Sequence, residues 1–432
     1  MSKFFNLPVI GIDVSADFSM VAILAPNGDV YRKPFKINHD NSGFHYLLEQ
    51  IKKVEEEFSM KPPVFMESTG IYHLTLFHFL KSNNLEAYVI NPLITNCNKN
   101  SSIRKVKNDK MDSVSIAKIA KFQNIKMSEV FDIATFAIKT LCRDYYNLID
   151  SRSKYKKKLY SDLRTYFPGY QNVFTDTTGD TSIALLTTYS SPNAILKASK
   201  EDILILLKAY SRKGEDWCNN TYAKLIKAAQ NAINIGIDSS ALITAIKIDL
   251  SIIKAFNEQI QTLMLSIKSQ VECDETTQAF RNNILLLLSI PGIGFITAVT
   301  ILCEIGDPKC FKKSKCLTAF LGIDPSVNES GKFKGNRNKM SKRGTRFGRR
   351  ALYAVALASI RKNRSKKPIN SVLYQYRKEN LSGKKSKVAL GAIMHKIINY
   401  IFAVLRDQKP YEVRDPKLHA QIYLNNSFKK AS

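Results

Sequence analysis

Acidic residues are scarce in this sequence. It has 37 Asp and Glu against 65 Lys and Arg, which gives a net charge of +28 at pH 7. A metabolic enzyme needs no such excess, whereas a polyanionic partner explains it, so nucleic acid is the default interpretation. Charge alone indicates no mechanism, because ribosomal and membrane-surface proteins are also basic.

Paired cysteines and an export signal are also lacking. The seven cysteines form no CxxC pair, so neither a zinc knuckle nor a disulfide framework is supported. The N-terminus, MSKFFNLPVIGIDVS, has no charged region leading into an apolar stretch with a cleavage site. These features predict a cytoplasmic protein.

An uncharged run from Ile284 to Leu302 reaches the length of a membrane span. Pro291–Gly294 interrupts it, and a proline with two glycines ends one helix and begins another. We therefore expect two short buried helices joined by a tight turn, and no membrane as a partner.

The first part of the chain predicts a mixed α/β sheet. Residues 7–36 predict three strands, with a hairpin turn at Asn27-Gly28. A helix over about 43–58, a strand over 63–66, a helix over 71–82 and a strand over 87–90 follow, and they lead to a helix that contains Asp109 and Asp112. This is the order expected of an RNase H-like (RuvC-like) domain, which we assign to residues 1–128.

The rest of the chain predicts helices, so the fold class is multidomain α/β plus α. Apolar residues at three-four spacing over 138–159 and 242–267 predict two long helices that can pair as an antiparallel hairpin. The two long helices define a central helical, coiled-coil connector over residues 129–280. An insert lies between them, over about 168–240, and the sequence does not indicate its role. Residues 281–410 predict a mainly helical domain, with helices over 350–361 and 387–405, and residues 411–432 a tail.

Four carboxylates stand where metal ligands are expected. Asp13 lies within an apolar strand, where an unpaired charge is costly, and Glu67 ends a second apolar strand. Asp109 and Asp112 share one helix face. Oxygen ligands from separate elements suit Mg²⁺ or Mn²⁺, which can steady the attacking and leaving oxygens of a phosphodiester. Singly, Glu67, Asp109 and Asp112 each have a structural explanation as a capping, helix-start or solvated acid, whereas Asp13 is the hardest to explain in that way. Together the four acids predict metal-dependent phosphodiester chemistry.

A polar loop near the C-terminus leads into the densest positive charge. Ser330 precedes residues 331–350, which contain nine Lys and Arg and no acid. On the residues alone Ser330 is either a reacting group or a plain turn serine, with Ser326 and Ser341 as nearby competitors. Between two apolar helices, Gly292 and Gly294 resemble the turn of a helix-hairpin-helix, which can hold a phosphate. The candidate nucleic-acid-binding residues are Gly292, Gly294, Lys332, Lys334, Arg337, Lys339, Lys342, Arg343, Arg346, Arg349 and Arg350.

The motifs GIDVS, MESTGIY and VKNDKMDSVSIAKIA, in that order, resemble the DEDD-type insertion-sequence transposases, the family that includes the Piv DNA invertase and the bridge-RNA-guided recombinases. The resemblance extends to SIPGIGFITAVTILCEIGD, LTAFLGIDPSVNESGKFKG and MSKRGTRFGRRAL. It implies that residues 281–410 are a transposase domain with a helix-hairpin-helix, and that Ser330 attacks a DNA phosphate and forms a phosphoserine. It further implies a nucleoid-associated protein that acts on element ends and target DNA, with a structured guide RNA. The protein would be a dimer or tetramer, in which one chain's acids complete another's serine site.

Three other functions stay open on the residues alone. A RuvC-like nuclease or Holliday-junction resolvase would hydrolyse DNA with the four acids and would not use Ser330. An actin-like kinase is suggested by GIDVS, but the sequence has no second Asp-Gly-Thr phosphate loop and no Gly-Gly adenosine loop. A basic scaffold protein would carry out no chemistry.

Overall fold

The chain folds into two compact units, Met1–Val130 and Phe131–Ser432. The computed structural model describes residues 2–67, 71–90, 94–95, 108–124, 133–237, 239–326, 329–330, 333–334, 339–414 and 421.

The first unit contains the five strands and three helices that the sequence predicts. The strands are β1 Val9–Val14, β2 Phe18–Leu24, β3 Val30–Asn38, β4 Val64–Glu67 and β5 Ala87–Ile90. The helices are α1 Asn41–Phe58, α2 His73–Ser82 and α3 Asp109–Phe122. Each predicted element is confirmed to within two residues at most of its ends, because apolar alternation and turn residues both mark those ends.

The sheet is mixed, with strand order β3-β2-β1-β4-β5. β1 to β3 form an antiparallel meander, and β4 and β5 extend it in parallel, with Ile12 of β1 beside Met66 of β4. Parallel strands need a crossover connection, which α1 supplies between β3 and β4 and α2 between β4 and β5. This arrangement is compatible with the expected RNase H-like fold.

Helices cover both faces of the sheet. On one face Ile10, Ile12 and Met66 pack with α1 and α2, and on the other Val9 and Phe65 pack with α3. Because side chains alternate along a strand, every second residue of β1 and β4 faces α3. The alternation therefore determines which polar residues of β1 and β4 face α3.

The second unit is helical, with one short hairpin among its described residues. Its first helices are α4 Ile133–Tyr166, α5 Asp180–Thr188, α6 Pro192–Lys197, α7 Lys200–Tyr210, α8 Glu215–Ile235 and α9 Ser240–Glu272. The following elements are α10 Gln278–Leu288, α11 Phe295–Ile305, α12 Ser314–Phe320, β6 Glu329–Ser330, β7 Phe333–Lys334, α13 Arg346–Ser359, α14 Ser371–Glu379 and α15 Ser386–Asp407.

The two long helices α4 and α9 pair antiparallel, as predicted. Arg152 donates to Asn257 at 2.7 Å, and Lys158, one and a half turns further along α4, pairs with Asp249, which comes earlier in α9. Asp249 is buried, so its ion pair with Lys158 offsets the cost of placing a carboxylate between the helices. The insert forms α5 to α8, and the Ser199 hydroxyl caps the start of α7 by accepting from the amide of Asp202.

Two separate apolar cores occupy the second unit. One joins the C-terminal end of α4 and the first half of α9 to the insert, with Leu159 and Ile253 among its residues. The other joins the far ends of both long helices, for example at Ile138 and Ile267, to α10–α15. The boundary proposed at residue 280 therefore does not separate the connector's core from the C-terminal core, and the three-domain division stays a prediction.

The apolar run 284–302 is divided between α10 and α11, as predicted. Gly292, in the turn, has φ +105°, a conformation that L side chains rarely adopt. In the described part of the chain, the helix that is long and apolar enough to cross a membrane is a different one, α15, and half of its most apolar stretch is buried inside the protein. A core helix passes the same test of length and composition, so this is weak evidence for a span.

Replacing Gly292 by Ala should destabilise the second unit. A Cβ there would lie 2.3 Å from the Ser359 hydroxyl oxygen and 3.0 Å from Ser359 backbone atoms. We expect the free energy of unfolding to fall by about 3 kcal/mol, from backbone strain and overpacking together. Gly294→Ala is the matched control, because nothing lies within 4 Å of a Cβ there. It should cost less than ~1 kcal/mol in a urea titration; equal losses would contradict the argument.

Candidate functional site

The strands bring Asp13 and Glu67 together. Each follows the paired residues Ile12 and Met66 by one position, so the two acids stand side by side at the carboxyl ends of neighbouring parallel strands. Adjacent strands lie about 4.8 Å apart. By alternation from Val9 and Phe65, both acids are on the face that α3 covers.

The direction of α3 places its two acids at the same end of the sheet. Lys121, near the end of α3, donates to the Leu7 carbonyl at 2.6 Å, just before β1 begins. Further along β1, Gly11 lies against α3, since a Cβ there would be 2.4 Å from the Ser113 carbonyl oxygen. The helix therefore runs opposite to β1, and its first turn, with Asp109 and Asp112, points to the end where Asp13 and Glu67 lie.

Local contacts hold the acids in place. Glu67 is only 8% exposed and accepts a hydrogen bond of 2.8 Å from the hydroxyl of Thr95. Asp112 is also 8% exposed, whereas Asp109 is exposed at the helix start, which Asn108 caps by accepting from the Lys110 amide. No local sequence pattern indicates a role for Thr95, because its contact with Glu67 spans 28 residues.

The donor set fits a divalent cation in its chemistry. Four carboxylates at one end of the sheet offer the hard oxygen ligands that Mg²⁺ and Mn²⁺ take in proteins. As the side chains stand, however, no three His, Cys, Asp or Glu residues in the described ranges form a metal-binding group. The backbone thus converges on one locus, and the ligand assignment of Asp13, Glu67, Asp109 and Asp112 stays a prediction.

Ser330 lies on a β-ribbon in the second unit. It ends β6 and pairs with Phe333 of β7, so only two residues separate it from its partner. Nearer the base, Pro325 bridges Met340 and the Ser326 amide donates to the Lys339 carbonyl at 2.7 Å. The backbone of Ser330 thus ends the first strand of a two-stranded pairing.

The two competing serines have structural roles. Ser326 donates its hydroxyl to the Lys339 carbonyl at 2.8 Å, and Ser341 donates to the Asp324 carboxylate at 2.5 Å. Both hydroxyls tie the strands of the ribbon to each other. The choice of Ser330 over Ser326 and Ser341 as the nucleophile stays a prediction.

The basic residues after Ser330 divide into two groups. Arg346, Arg349 and Arg350 are engaged within the unit: Arg346 with Asn147, Arg349 with the Gly344 carbonyl, and Arg350 with Asp150. Burial also lowers the pKa of the Arg349 guanidinium. These three side chains hold α13 in place, a use that a run of charge does not reveal.

The nucleic-acid contacts of all nine basic residues stay a prediction. Lys339, Lys342 and Arg343 are exposed near the base of the ribbon. Lys334 is placed by its backbone in β7, and Lys332 and Arg337 lie outside the described residues.

The turn between α10 and α11 has a structural explanation for both glycines. Gly292 permits close packing on Ser359, and the Gly294 amide donates to the Thr297 hydroxyl at 3.0 Å. The Gly294 amide is therefore already used within its own helix start. The phosphate contact proposed for Gly292 and Gly294 stays a prediction.

Comparison with known proteins identifies both ends of the chain. Residues 10–168 match the DEDD IS110 family model, described as "Transposase", and residues 285–369 match the model "Transposase IS116/IS110/IS902 family". The matched segments contain the four acids and Ser330. Both ends of the chain are therefore similar to transposases.

Three relatives refine this result. The insertion element IS110 43.6 kDa protein of Streptomyces coelicolor is 22% identical over 72% of this chain and 74% of its own length. The pilin gene-inverting protein of Moraxella bovis is 27% identical over 38% of this chain and 48% of its own. The transposase for insertion sequence element IS1111A of Coxiella burnetii is 32% identical over 28% and 33%. The chain is thus similar to insertion-element proteins of the IS110 type and, over a shorter stretch, to a pilin gene-inverting protein.

Proposed function

We propose that this protein is the transposase of an insertion sequence, a recombinase that cleaves and rejoins DNA. The observation that carries the proposal is the convergence of Asp13, Glu67 and the first turn of α3 at one end of the sheet, in a chain whose two ends match transposase models. The net charge of +28 suits the phosphate backbone of its substrate.

Asp13, Glu67, Asp109 and Asp112 are proposed to hold Mg²⁺ or Mn²⁺. A bound divalent ion supplies positive charge to the reacting phosphate. Within the chain, Thr95 fixes the rotamer of Glu67, and burial of Glu67 and Asp112 keeps bulk water from their carboxylates. The close contact of Gly11 with Ser113 sets the distance of α3 from β1, and so the position of its acids.

Ser330 is proposed as the nucleophile. Its hydroxyl oxygen attacks the DNA phosphorus, the bond to the leaving sugar oxygen breaks, and that oxygen takes up a proton. Rejoining reverses these steps with a second DNA end. The phosphodiester bond is therefore exchanged and is never hydrolysed. A serine hydroxyl needs activation. Cationic neighbours and the four acids with their metal are proposed to activate the Ser330 hydroxyl. The acids are proposed to come from another chain of a dimer or tetramer.

A structured noncoding RNA is the proposed guide to the element ends and the target. The resemblance to bridge-RNA-guided recombinases supports it, together with the excess positive charge. Sequencing of RNA that co-purifies with the protein tests this part: one abundant structured species encoded beside the gene is expected, and random cellular RNA would contradict it.

The experiment that tests the proposal combines the purified protein with DNA that carries the element ends and target. We expect cleaved and rejoined junctions, detected by sequencing, with Mg²⁺ or Mn²⁺ present. Chelation by EDTA should reduce them by at least ~10³-fold, since removal of several kcal/mol of stabilisation has that effect. Addition of Mg²⁺ should restore them. Cut ends that never rejoin would instead favour the hydrolytic nuclease or resolvase.

A further inference from the structure

After α13 the chain forms a small, internally bonded hairpin, Arg361–Ile369, termed here the basic hairpin. Lys362 bridges Pro368 in antiparallel fashion. The Asn363 amide donates to the Lys367 carbonyl at 2.8 Å, and the Lys367 amide donates to the Asn363 side chain at 2.9 Å. Residues 361–367 are all exposed. The backbone satisfies its own polar groups, so the side chains are left to solvent.

The hairpin and the residues that follow carry charge of almost one sign. Between residues 361 and 387 the single acid is Glu379, whose carboxylate accepts from Gln375. Among the described residues, none of the basic side chains in this stretch forms a salt bridge with an acid. They are Arg361, Lys362, Arg364, Lys366, Lys367, Arg377, Lys378, Lys384, Lys385 and Lys387.

An aromatic ring links the basic hairpin to α14. The ammonium groups of Lys362 and Lys378 lie 5.7 Å and 5.0 Å from the centre of the Tyr374 ring. The hydrogen bond with Lys378 and the charge of Lys362 lower the pKa of the Tyr374 hydroxyl. Positive charge therefore continues from the hairpin onto α14, with the spacing of Lys362 and Lys378 held by the ring between them.

The base of the hairpin packs on the turn between α10 and α11. Ser359 and Asn370, which flank the hairpin, both donate to the Pro291 carbonyl, at 3.2 Å and 3.5 Å. The Asn370 amide closes the base by donating to the Ser359 carbonyl. The hairpin that carries the charged side chains is thus held to the C-terminal core by hydrogen bonds. A solvated run of charge would lack such contacts.

We propose that the basic hairpin, together with Lys378, binds the phosphodiester backbone of a nucleic-acid duplex. This surface is separate from the Ser330 ribbon and rests on the proposed function only in taking nucleic acid as the partner. Exposed Lys and Arg without acids attract phosphates by releasing counterions, and such contacts position a duplex without reading its bases. DNA and RNA share that chemistry, and the test below distinguishes them.

The test removes three charges from the full-length protein by Arg361→Gln, Arg364→Gln and Lys367→Gln. The hairpin's hydrogen bonds use the backbone at these positions, so its fold should persist. Binding to a labelled DNA duplex, and to an RNA duplex of the same sequence, is measured by fluorescence anisotropy over a salt series. For the duplex that is bound we expect at least ~10-fold weaker affinity and a slope of log K against log salt that is smaller by about 2 to 3.

The matched control removes the same charge from the insert, by Lys213→Gln, Lys224→Gln and Lys227→Gln, all at exposed positions. It should stay within about 3-fold of the wild type, because charges beyond the Debye length of ~10 Å are screened. A second variant, Arg361→Lys with Arg364→Lys, keeps the charge and should bind as the wild type does.

Weaker binding of the triple variant than of the wild type to DNA, to RNA or to both supports the proposed surface and identifies its ligand. An effect no larger than that of the insert control overturns it and leaves the proposed recombination intact, since junction formation is measured separately. A wild type that binds neither duplex overturns the surface and the proposed function together.

Discussion

Replacement of Asp13 by Asn is expected to abolish DNA cleavage and rejoining while the protein still folds and binds DNA. Asn keeps the size of Asp but lacks its charge, so the locus shared with Glu67 loses a ligand that an amide replaces poorly. Loss of several kcal/mol of transition-state stabilisation corresponds to a rate lower by about 10³-fold or more. Junction sequencing and a cleavage gel measure the two steps, and anisotropy measures binding.

Asp17→Asn provides the matched control, because Asp17 is exposed in the turn between β1 and β2, only four residues further along. It removes the same charge near the same sheet and should leave recombination unchanged. If Asp13→Asn recombined DNA as well as Asp17→Asn does, the acid site would have no catalytic role and the basic scaffold would be the better description.

The strands around Asp13 could be predicted because the sequence patterns that determine them lie within a few residues of each strand. Apolar alternation and the Asn27-Gly28 turn define β1 to β3 within a few residues of chain, and the Asn108 side chain marks the start of α3. The short helices α12 and α14 were not predicted, since each has fewer than ten residues and too few apolar positions to show a period.

The convergence of the acids could not be read from local patterns. It depends on the direction of α3, which the contacts of Lys121 with Leu7 and of Ser113 with Gly11 establish across about a hundred residues. Thr95 reaches Glu67 in the same non-local way. A sequence indicates which residues could be ligands, whereas only the packing of helix on sheet indicates that they share a locus.

The arginines after Ser330 show what composition does not reveal. The sequence predicts that nine basic residues there contact nucleic acid, and this stays a prediction. Three of them, Arg346, Arg349 and Arg350, also bond to Asn147, Gly344 and Asp150 within the protein. The exposed Lys and Arg residues of the basic hairpin, by contrast, are not distinctive in the sequence, because they follow the denser basic run 331–350.

Replacement of Ser330 by Ala should abolish both cleavage and rejoining, by at least ~10³-fold, because without the hydroxyl the reaction has no nucleophile and no covalent intermediate. Backbone pairing with Phe333 does not depend on the side chain, so the ribbon should persist. A nicked substrate that traps the intermediate should give a protein–DNA adduct on a denaturing gel with the wild type and none with Ser330→Ala.

Ser326→Ala separates the loss of a nucleophile from damage to the ribbon. Its hydroxyl donates to the Lys339 carbonyl, so the substitution removes a hydrogen bond worth about 1 kcal/mol but no reacting group. Recombination and adduct should both remain. Full cutting by Ser330→Ala without rejoining would mean that water is the nucleophile, and the four acids would then constitute a complete hydrolytic site in the first unit.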